Sequence, residues 1–212
     1  DRDVTGVQTC ALPIYNDVEM IGTDWILRLS GDCHRNKVGV TGAKLYYPDD
    51  TVQHAGIVIG IGGSKRGIAA NMFQGLPREE HGYQNRASLQ ADYSAVTAAC
   101  MMVKKDVFDA VDGFTEKLQV AFNDVDFCLK VRKKGYLVMY DPKIEGYHYE
   151  SKSRGAENTP EKVRRFQGEI DTFRVFWKDI LKDGDPYYNR NFSLVSRSEE
   201  RRVGKECRSR WS

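Results

Sequence analysis

The chain has 212 residues, of which 41% are hydrophobic and 29% are charged, which is enough for one domain with a sizeable core. Its formal net charge is only +2, and no apolar run reaches the roughly 20 residues that a membrane-spanning helix requires. Composition therefore argues against an integral membrane protein and against a domain that is basic throughout.

The two ends differ from the middle of the chain. Residues 197–212 contain six basic and three acidic residues, which at face value predicts a tail that binds nucleic acid or an acidic surface. Back-translation favours another interpretation, because Arg197-Ser198-Glu199-Glu200, encoded as AGA TCG GAA GAG, resembles the start of a sequencing adapter, and residues 4–14 resemble its companion. Segments of this origin do not contribute to a natural fold. We therefore expect residues 1–14 and 197–212 to be adapter-derived and residues 15–196 to be natural, which the nucleotide sequence would settle.

Charge and cysteine content change when the two ends are set aside. The net charge falls from +2 to zero, so no nucleic-acid partner is expected. The remaining cysteines are Cys33, Cys100 and Cys128, and none of them belongs to a CxxC pair. Widely spaced single cysteines favour reduced thiols that pack as small hydrophobic side chains, as in a cytosolic protein.

In chain order, the first predicted elements are a helix and a β-hairpin. Residues 23–29 combine a polar start with an amphipathic pattern and predict the helix. Residues 38–47 predict a strand that ends at a Pro-Asp-Asp turn, and residues 51–61 predict its partner. Residues 64–92 predict a long loop, which in a compact domain is usually a functional lid or a mobile insert.

The next predicted elements are a strand and a short helix. Residues 94–104 predict a buried strand with small residues at its centre, among them Ala99 and Cys100. Small side chains there fit a substrate that approaches the backbone closely, and they fit a tightly packed core equally well. Residues 106–111 predict a short helix before a turn at Gly113.

A further helix is predicted from residue 123 to the glycine at position 135. Its first turn contains Asn123, Asp124 and Asp126. Asn123 can cap the helix with Asp126 three residues later, and acidic side chains at this end suit the helix dipole. Composition alone therefore favours capping, and a catalytic carboxylate is the alternative.

The last predicted elements are a strand and a long helix. Residues 136–140 predict a short strand that Asp141 and Pro142 end, and Thr159 with Pro160 predicts a helix start. Apolar residues recur along this helix at spacings of three and four, which predicts a stripe that faces the sheet. The stripe consists of Val163, Phe166, Ile170, Phe173, Trp177 and Ile180.

Three segments, read together, resemble one known family. Residues 94–103 are a small-residue strand, Asp112-Gly113-Phe114 is a turn, and Asn123-Asp124-Val125-Asp126 opens a helix. This order of motifs resembles the C-terminal part of the catalytic domain of glycosyltransferase family two, over most of residues 15–196. The resemblance implies an α/β fold, namely a truncated GT-A (nucleotide-diphospho-sugar transferase) fold with a mixed sheet flanked by helices.

The resemblance also implies catalytic and metal-binding groups. The second residue of the family's acidic motif is its catalytic base and corresponds to Asp124, although Asn123 stands where the family commonly has glutamate. Tyr15-Asn16-Asp17 corresponds to an Asn-Asn-Asp metal motif, so Asp17 is the expected ligand of a divalent cation, Mg²⁺ or Mn²⁺. Tyr15 departs from that motif, and from the residues alone Asp17 is more simply a surface aspartate.

Further expected site residues follow from the same resemblance. The segment from His148 to Gly155 is similar to the family's His-x-Glu-Ser-x-Ser-Arg-Gly, which implies His148 as a second metal ligand and Arg154 as a phosphate contact. An exposed histidine and a solvated arginine are the alternatives. The residues expected to bind substrate are Asp126, Ala99, Cys100, His54 and Arg154. His54 belongs to Gln53-His54-Ala55-Gly56, which resembles a segment that recurs in one subfamily and implies a place in the acceptor or donor cleft. A structural role is the alternative for a lone histidine in a strand.

The implied reaction is metal-assisted, inverting transfer of a hexosyl or deoxyhexosyl group from a nucleotide sugar to a hydroxyl of a glycan or lipid-linked acceptor. The implied setting is bacterial cell-surface glycan assembly, in the cytoplasm or at the inner face of the cell membrane, with peripheral membrane association of the full-length protein. A non-catalytic nucleotide-sugar or glycan-binding domain of the same fold is the alternative. Because the family's nucleotide-binding strands precede Asp17, we expect the 212-residue chain alone to be inactive and prone to self-association.

Overall fold

A computed structural model of the chain describes residues 10–62, 67–149 and 159–195. The described residues form five α-helices and nine β-strands. The helices are α1 (Trp25–Cys33), α2 (Lys105–Ala110), α3 (Asn123–Lys133), α4 (Pro160–Phe176) and α5 (Lys178–Asp183). The strands are β1 (Cys10–Ala11), β2 (Val18–Ile21), β3 (Val38–Tyr46), β4 (Val52–His54), β5 (Ile57–Ile59), β6 (Ala69–Asn71), β7 (Ala91–Asp92), β8 (Met101–Lys104) and β9 (Leu137–His148). A 3₁₀ helix spans Tyr83–Ser88.

One mixed sheet organises the fold. Its continuous strand order is β1-β8-β3-β9-β2, while β4 pairs with β3 and β7 pairs with β9. Strands β3 and β9 are parallel, and the other described pairs of this sheet are antiparallel. Strands β5 and β6 form a separate two-stranded sheet. The predicted α/β class with a mixed sheet is confirmed.

Helices cover both faces of the main sheet, and the core lies on either side of β3. All nine residues of β3 are buried. On one face they pack with Leu29 and Cys33 of α1, and on the other they pack with Phe127 and Val131 of α3. Among the described helices, none combines the length and the hydrophobicity of a membrane span.

The predicted hairpin is confirmed, since β3 and β4 pair in antiparallel fashion, but its second strand is shorter than predicted. The chain turns at Gly56, which has a φ of 90°. A Cβ atom there would lie 2.6 Å from the ring of Tyr93, so this turn requires glycine. As a result β5 leaves the main sheet and pairs with β6.

The predicted strand over residues 94–104 is wrong in its first part, because only Met101–Lys104 is a strand. Residues 94–100 instead cross closely over β3 at Gly42, where a Cβ atom would lie 2.5 Å from the Cβ atom of Val96. This close approach lets residues 97 and 98 reach the start of α3.

The predicted end of β9 at Asp141 is also wrong. Ala43 of β3 lies opposite Asp141 and Lys44 lies opposite Glu145, so the residues between them bulge out of the ladder. The bulge accommodates Pro142 within a strand that continues to His148. Strand β9 therefore extends to the edge where β2 pairs with it.

Helix α4 begins as predicted, since the Thr159 side chain accepts a hydrogen bond from the Lys162 amide at 3.3 Å and Pro160 is the first helical residue. The apolar stripe, in contrast, is only partly buried. Phe173 is buried, whereas Val163 and Phe166 are 54% and 43% exposed. Only the C-terminal half of α4 reaches the core.

Strand β1 lies within residues 1–14, which are expected to be adapter-derived. It pairs with β8, with Cys10 opposite Lys104. This pairing does not test where the segment comes from, so the division into residues 1–14, 15–196 and 197–212 stays a prediction.

Candidate active site

The first turn of α3 has an unusual backbone. Phe122, the residue that precedes the helix, has a left-handed conformation with a φ of 62°. Such a conformation costs an aromatic residue about 1–3 kcal/mol and persists only where surrounding contacts enforce it. Asn123 is the first helical residue and its Oδ1 accepts from the Asp124 amide at 2.7 Å, so the prediction that Asn123 caps the helix is wrong.

Asp124 is half-buried at this helix start. Its Oδ2 atom accepts a hydrogen bond from the Ala98 amide at 3.2 Å, and its Oδ1 atom accepts from the Val125 amide at 2.8 Å. Burial raises the pKa of Asp124, while the hydrogen bonds from Ala98, Val125 and the Thr97 side chain oppose the increase. A carboxylate with a raised pKa is a better proton acceptor near neutral pH, which suits a general base.

A second acidic residue lies beside a histidine at the far end of β9. Strand β2 pairs with β9 so that Val18 lies opposite His148, and the Tyr149 amide donates to the Asp17 carbonyl at 2.9 Å. The Nε2 atom of His148 lies 3.4 Å from Oδ1 of Asp17, and both side chains are largely shielded from solvent. The structure thus brings together the two residues expected to bind a metal.

This pair fits part of a divalent-cation site. His148 Nδ1 lies 2.7 Å from Oε1 of Gln53, and a hydrogen bond donated by Nδ1 directs the Nε2 lone pair toward Asp17. A carboxylate oxygen and an imidazole nitrogen leave coordination positions for phosphate oxygens and water, as Mg²⁺ and Mn²⁺ sites in phosphoryl chemistry do. Within the described ranges no cluster of three or more His, Cys, Asp or Glu side chains could hold a metal by itself.

A short path of contacts links Asp124 to the Asp17–His148 pair. The Ala98 amide donates to Asp124, and the carbonyl of the next residue, Ala99, accepts from the Tyr15 amide at 3.0 Å. The ring of Tyr15 in turn meets the ring of His148 edge-on, with centroids 5.8 Å apart. The candidate base and the candidate metal ligands therefore lie at the same end of the sheet.

His54 does not line a cleft, contrary to the expectation from its motif. It is 1% exposed, its Nδ1 lies 2.7 Å from Oδ1 of Asn71, and its Nε2 lies 3.4 Å from the amides of Gly56 and Thr97. Because the amides of Gly56 and Thr97 donate to Nε2, the proton of the neutral ring lies on Nδ1. His54 thereby orients Thr97, whose side chain lies beside Asp124.

The buried His54 should make the protein less stable below neutral pH. Burial lowers its pKa to about 4, with the Asn71 hydrogen bond opposing and His148 adding to the decrease, whereas an unfolded histidine has a pKa of about 6.5. Between these values only the unfolded state binds the proton. The contribution of neutral His54 to the free energy of unfolding is therefore fully present above pH 6.5. It falls by on the order of 3 kcal/mol as the pH decreases to 4.

Urea unfolding between pH 4 and pH 7.5, on the parent and on His54→Gln, would measure this effect. The carboxyl of Asp32 has a pKa raised to about 6, mainly by burial and by its hydrogen bond to Asp141, and acts in the opposite direction in both proteins. The difference between the two proteins therefore isolates His54. Parallel pH dependences for parent and variant would contradict the interpretation.

The structure gives Asp126 a supporting position, although the family resemblance implies that it binds substrate. It is 1% exposed; its Oδ2 accepts from the Thr115 hydroxyl at 2.6 Å and its Oδ1 accepts from the Trp177 indole at 2.7 Å. Lys130 lies 3.8 Å from the same carboxylate. These contacts connect α3 to the C-terminal end of α4.

Ala99 and Cys100 are also packed rather than exposed to a ligand. Both are fully buried, and burial raises the pKa of the Cys100 thiol to about 12. Their small size is explained by close packing, the alternative that the sequence left open. Arg154 lies outside the described residues, so its expected phosphate contact stays a prediction.

Sequence reasoning missed two residues that contact the site, namely Gln53 beside His148 and Thr97 beside Asp124. It also missed the buried Glu169, which was detectable because it interrupts the apolar face of α4 three residues after Phe166. Gln53 and Thr97 gave no such signal, since polar residues in a strand and in a small-residue segment are common.

Comparison with known proteins identifies relatives of this chain. No family model matches it. It is 48% identical over 182 residues to y4gI of Sinorhizobium fredii (strain NBRC 101917 / NGR234), described as an uncharacterized protein; the match covers 85% of this chain and 20% of y4gI. It is 31% identical over 184 residues to the O-antigen biosynthesis protein RfbC of Myxococcus xanthus, covering 86% of this chain and 14% of RfbC.

A shorter match involves an N-acetylglucosaminyl-diphospho-decaprenol L-rhamnosyltransferase of Mycobacterium tuberculosis. It is 31% identical over 62 residues, which are 29% of this chain and 20% of that protein. The chain therefore spans a fifth or less of the length of the curated relatives that it matches.

Among solved structures, the chain resembles GalNAc-T7 crystallised with UDP, GalNAc and Mn²⁺. The TM-score is 0.56, and the match covers 82% of this chain and 33% of GalNAc-T7. Sequence identity is only 11%, so this likeness concerns the fold alone.

Proposed function

We propose that this chain, which has the GT-A fold of glycosyltransferases, is the acceptor- and metal-binding part of an enzyme that transfers a sugar from a nucleotide-diphosphate-sugar donor to a hydroxyl acceptor. The main support is the short path of contacts from Asp124 through Ala98, Ala99 and Tyr15 to the Asp17–His148 pair. A proton acceptor and ligands for a diphosphate-bound cation are the two groups that this transfer requires.

Asp124 is the proposed general base. It accepts the proton of the acceptor hydroxyl as that oxygen attacks the anomeric carbon from the side opposite the departing diphosphate, so the configuration inverts. The Ala98 amide and the Thr97 side chain hold the carboxylate in one orientation, and burial raises its pKa toward the working pH. The reactive geometry thus depends on a helix start and on the segment that crosses over β3.

Asp17 and His148 are the proposed protein ligands of Mg²⁺ or Mn²⁺. A bound divalent cation would offset the negative charge that develops on the leaving diphosphate. Gln53 orients the His148 imidazole, as outer partners of metal-binding histidines commonly do. GalNAc-T7, which has the same fold, was crystallised with Mn²⁺ and UDP, which supports this assignment.

The proposed setting is bacterial cell-surface glycan assembly. One relative is named for O-antigen biosynthesis and another for rhamnosyl transfer to a decaprenol-linked acceptor. We therefore propose a hexosyl or deoxyhexosyl donor and a glycan or lipid-linked acceptor, with the full-length protein acting at the inner face of the cell membrane.

The test uses the full-length protein, which we propose contains residues 15–196 together with a donor-binding part. We expect it to release nucleoside diphosphate from at least one of a panel of nucleotide sugars when Mn²⁺ or Mg²⁺ is present, and to stop when EDTA is added. The 212-residue chain alone is the matched control and should show no release. Donor binding without any transfer or hydrolysis would contradict the proposal and favour a non-catalytic binding domain.

A further inference from the structure

Glu169 is a buried carboxylate on the apolar face of α4. It is 3% exposed and lies on the same helix face as Phe166 and Phe173. Its two oxygens accept hydrogen bonds from consecutive backbone amides, from Val120 at 3.0 Å and from Ala121 at 3.1 Å. Burying a carboxylate is costly unless its oxygens are hydrogen-bonded, and here both oxygens bind the loop that leads into α3.

The same helix face also contacts the residue that follows this loop segment. The Phe122 ring stacks on Phe166, with centroids 5.9 Å apart and an interplanar angle of 26°, and its centroid lies 5.4 Å from that of Phe173. The carbonyl of Phe122 accepts from the Asp126 amide at 2.8 Å and so starts the hydrogen-bond ladder of α3. Helix α4 thus contacts three consecutive residues, 120–122, directly before the acidic turn.

We propose that this face of α4 acts as a clamp, formed by Phe166, Glu169 and Phe173, that holds residues 120–122 in the conformation from which α3 begins. Glu169 is then a positioning residue for Asp124: it contacts no substrate and acts through the amides of Val120 and Ala121. The inference rests on the proposed role of Asp124 as the base.

The backbone of Phe122 is the reason why a clamp is needed. A left-handed aromatic residue is strained, and such strain concentrates at active sites where neighbouring groups enforce it. Asp124 also has to meet the Ala98 amide, which comes from a separate segment, so a displaced helix start would lose this hydrogen bond. Displacing a catalytic group by about 1 Å can reduce turnover by on the order of 100-fold.

The experiment compares Glu169→Ala and Glu169→Gln with the parent in the full-length protein. Per folded molecule, Glu169→Ala should lower kcat roughly tenfold and leave KM for the donor within about twofold of the parent value. Glu169→Gln keeps the side-chain volume and one acceptor oxygen, so its kcat should lie between those of the other two proteins. Amide hydrogen exchange at Val120 and Ala121, which needs no activity, should be faster in Glu169→Ala.

Glu161→Ala is the matched control, because Glu161 is an exposed carboxylate in the first turn of the same helix. It should change neither kcat nor exchange at Val120 and Ala121.

If Glu169→Ala does not fold, the kcat and amide exchange of Glu169→Gln test the clamp instead. A parent-like kcat in the folded Glu169 variants, or a change in KM without a change in kcat, overturns the clamp. The proposed function still stands in that case if Asp124→Asn lowers turnover by about 100-fold or more. If Asp124→Asn is as active as the parent, the proposed function and this inference both fall.

Discussion

Asp124→Asn should reduce turnover of the full-length protein by about 10²–10⁴-fold while donor affinity stays nearly unchanged, as expected for the loss of a general base. Asparagine has almost the same shape as aspartate but cannot take the proton of an attacking hydroxyl. Donor affinity should persist because Asp124 contacts Ala98 and Val125 and is separate from the Asp17–His148 pair. Steady-state transfer gives kcat, and titration calorimetry gives the donor affinity.

The substitution should also have a modest structural cost. Each oxygen of Asp124 accepts from a backbone amide, so the new amide nitrogen would face either Ala98 or Val125. Leaving one such donor without its acceptor costs about 1–3 kcal/mol. Asp106→Asn is a suitable control, because the exposed Asp106 makes the same contact with the amide of Val107 in the first turn of α2. If Asp124→Asn reduced turnover less than tenfold, Asp124 would only shape the helix start.

Asp17→Ala should weaken metal-dependent donor binding by at least about 10-fold, the smallest loss expected even for an outer partner of a metal ligand, and leave any metal-independent binding unchanged. The reason is that a carboxylate oxygen within reach of His148 Nε2 would be removed from the cation, while the β2–β9 ladder that supports both residues would remain. Titration of a nucleotide sugar with and without Mn²⁺ measures both quantities.

His148→Ala provides the second arm of this test. If Asp17 and His148 bind one cation, the double variant should lose little more than either single variant. Glu19→Ala is the matched control, since Glu19 is a nearby exposed carboxylate on β2 that accepts from the Tyr149 hydroxyl. Full additivity of the two losses, or an Asp17→Ala variant with parent-like metal dependence, would remove this pair from the site.

The sequence predicts the parts of the fold that depend on local patterns. Alternating and periodic hydrophobicity is sufficient for the hairpin of β3 and β4, for α3 and for the start of α4. The motifs indicate Asp17 and His148 separately, but their approach to 3.4 Å depends on the pairing of β2 with β9. Such a long-range pairing is set by the whole sheet and not by either segment.

Where the predictions fail, tertiary contacts override a local signal. Pro142 normally ends a strand, yet a bulge lets β9 continue past it because β3 supplies a parallel partner along its length. The periodicity of α4 identifies one face of the helix but not how far the core extends beneath it, and Val163 therefore remains exposed. The sequence also does not indicate the partners of Glu169 within that face, which are the backbone amides of Val120 and Ala121.

The pairing of β2 with the end of β9 has a consequence for folding. Strand β2 precedes α1 and strand β9 follows α3, so their pairing closes a loop that contains most of the other elements. Contacts this distant in sequence are entropically costly and form late, after local structure is in place. Asp17 and His148 would then meet only in molecules that have completed folding. A cation that binds between them would stabilise the native state by mass action. The fraction of protein with bound metal would then report the native fraction. Bound metal would also slow proteolysis, because it lowers the population of the unfolded state that proteases cleave.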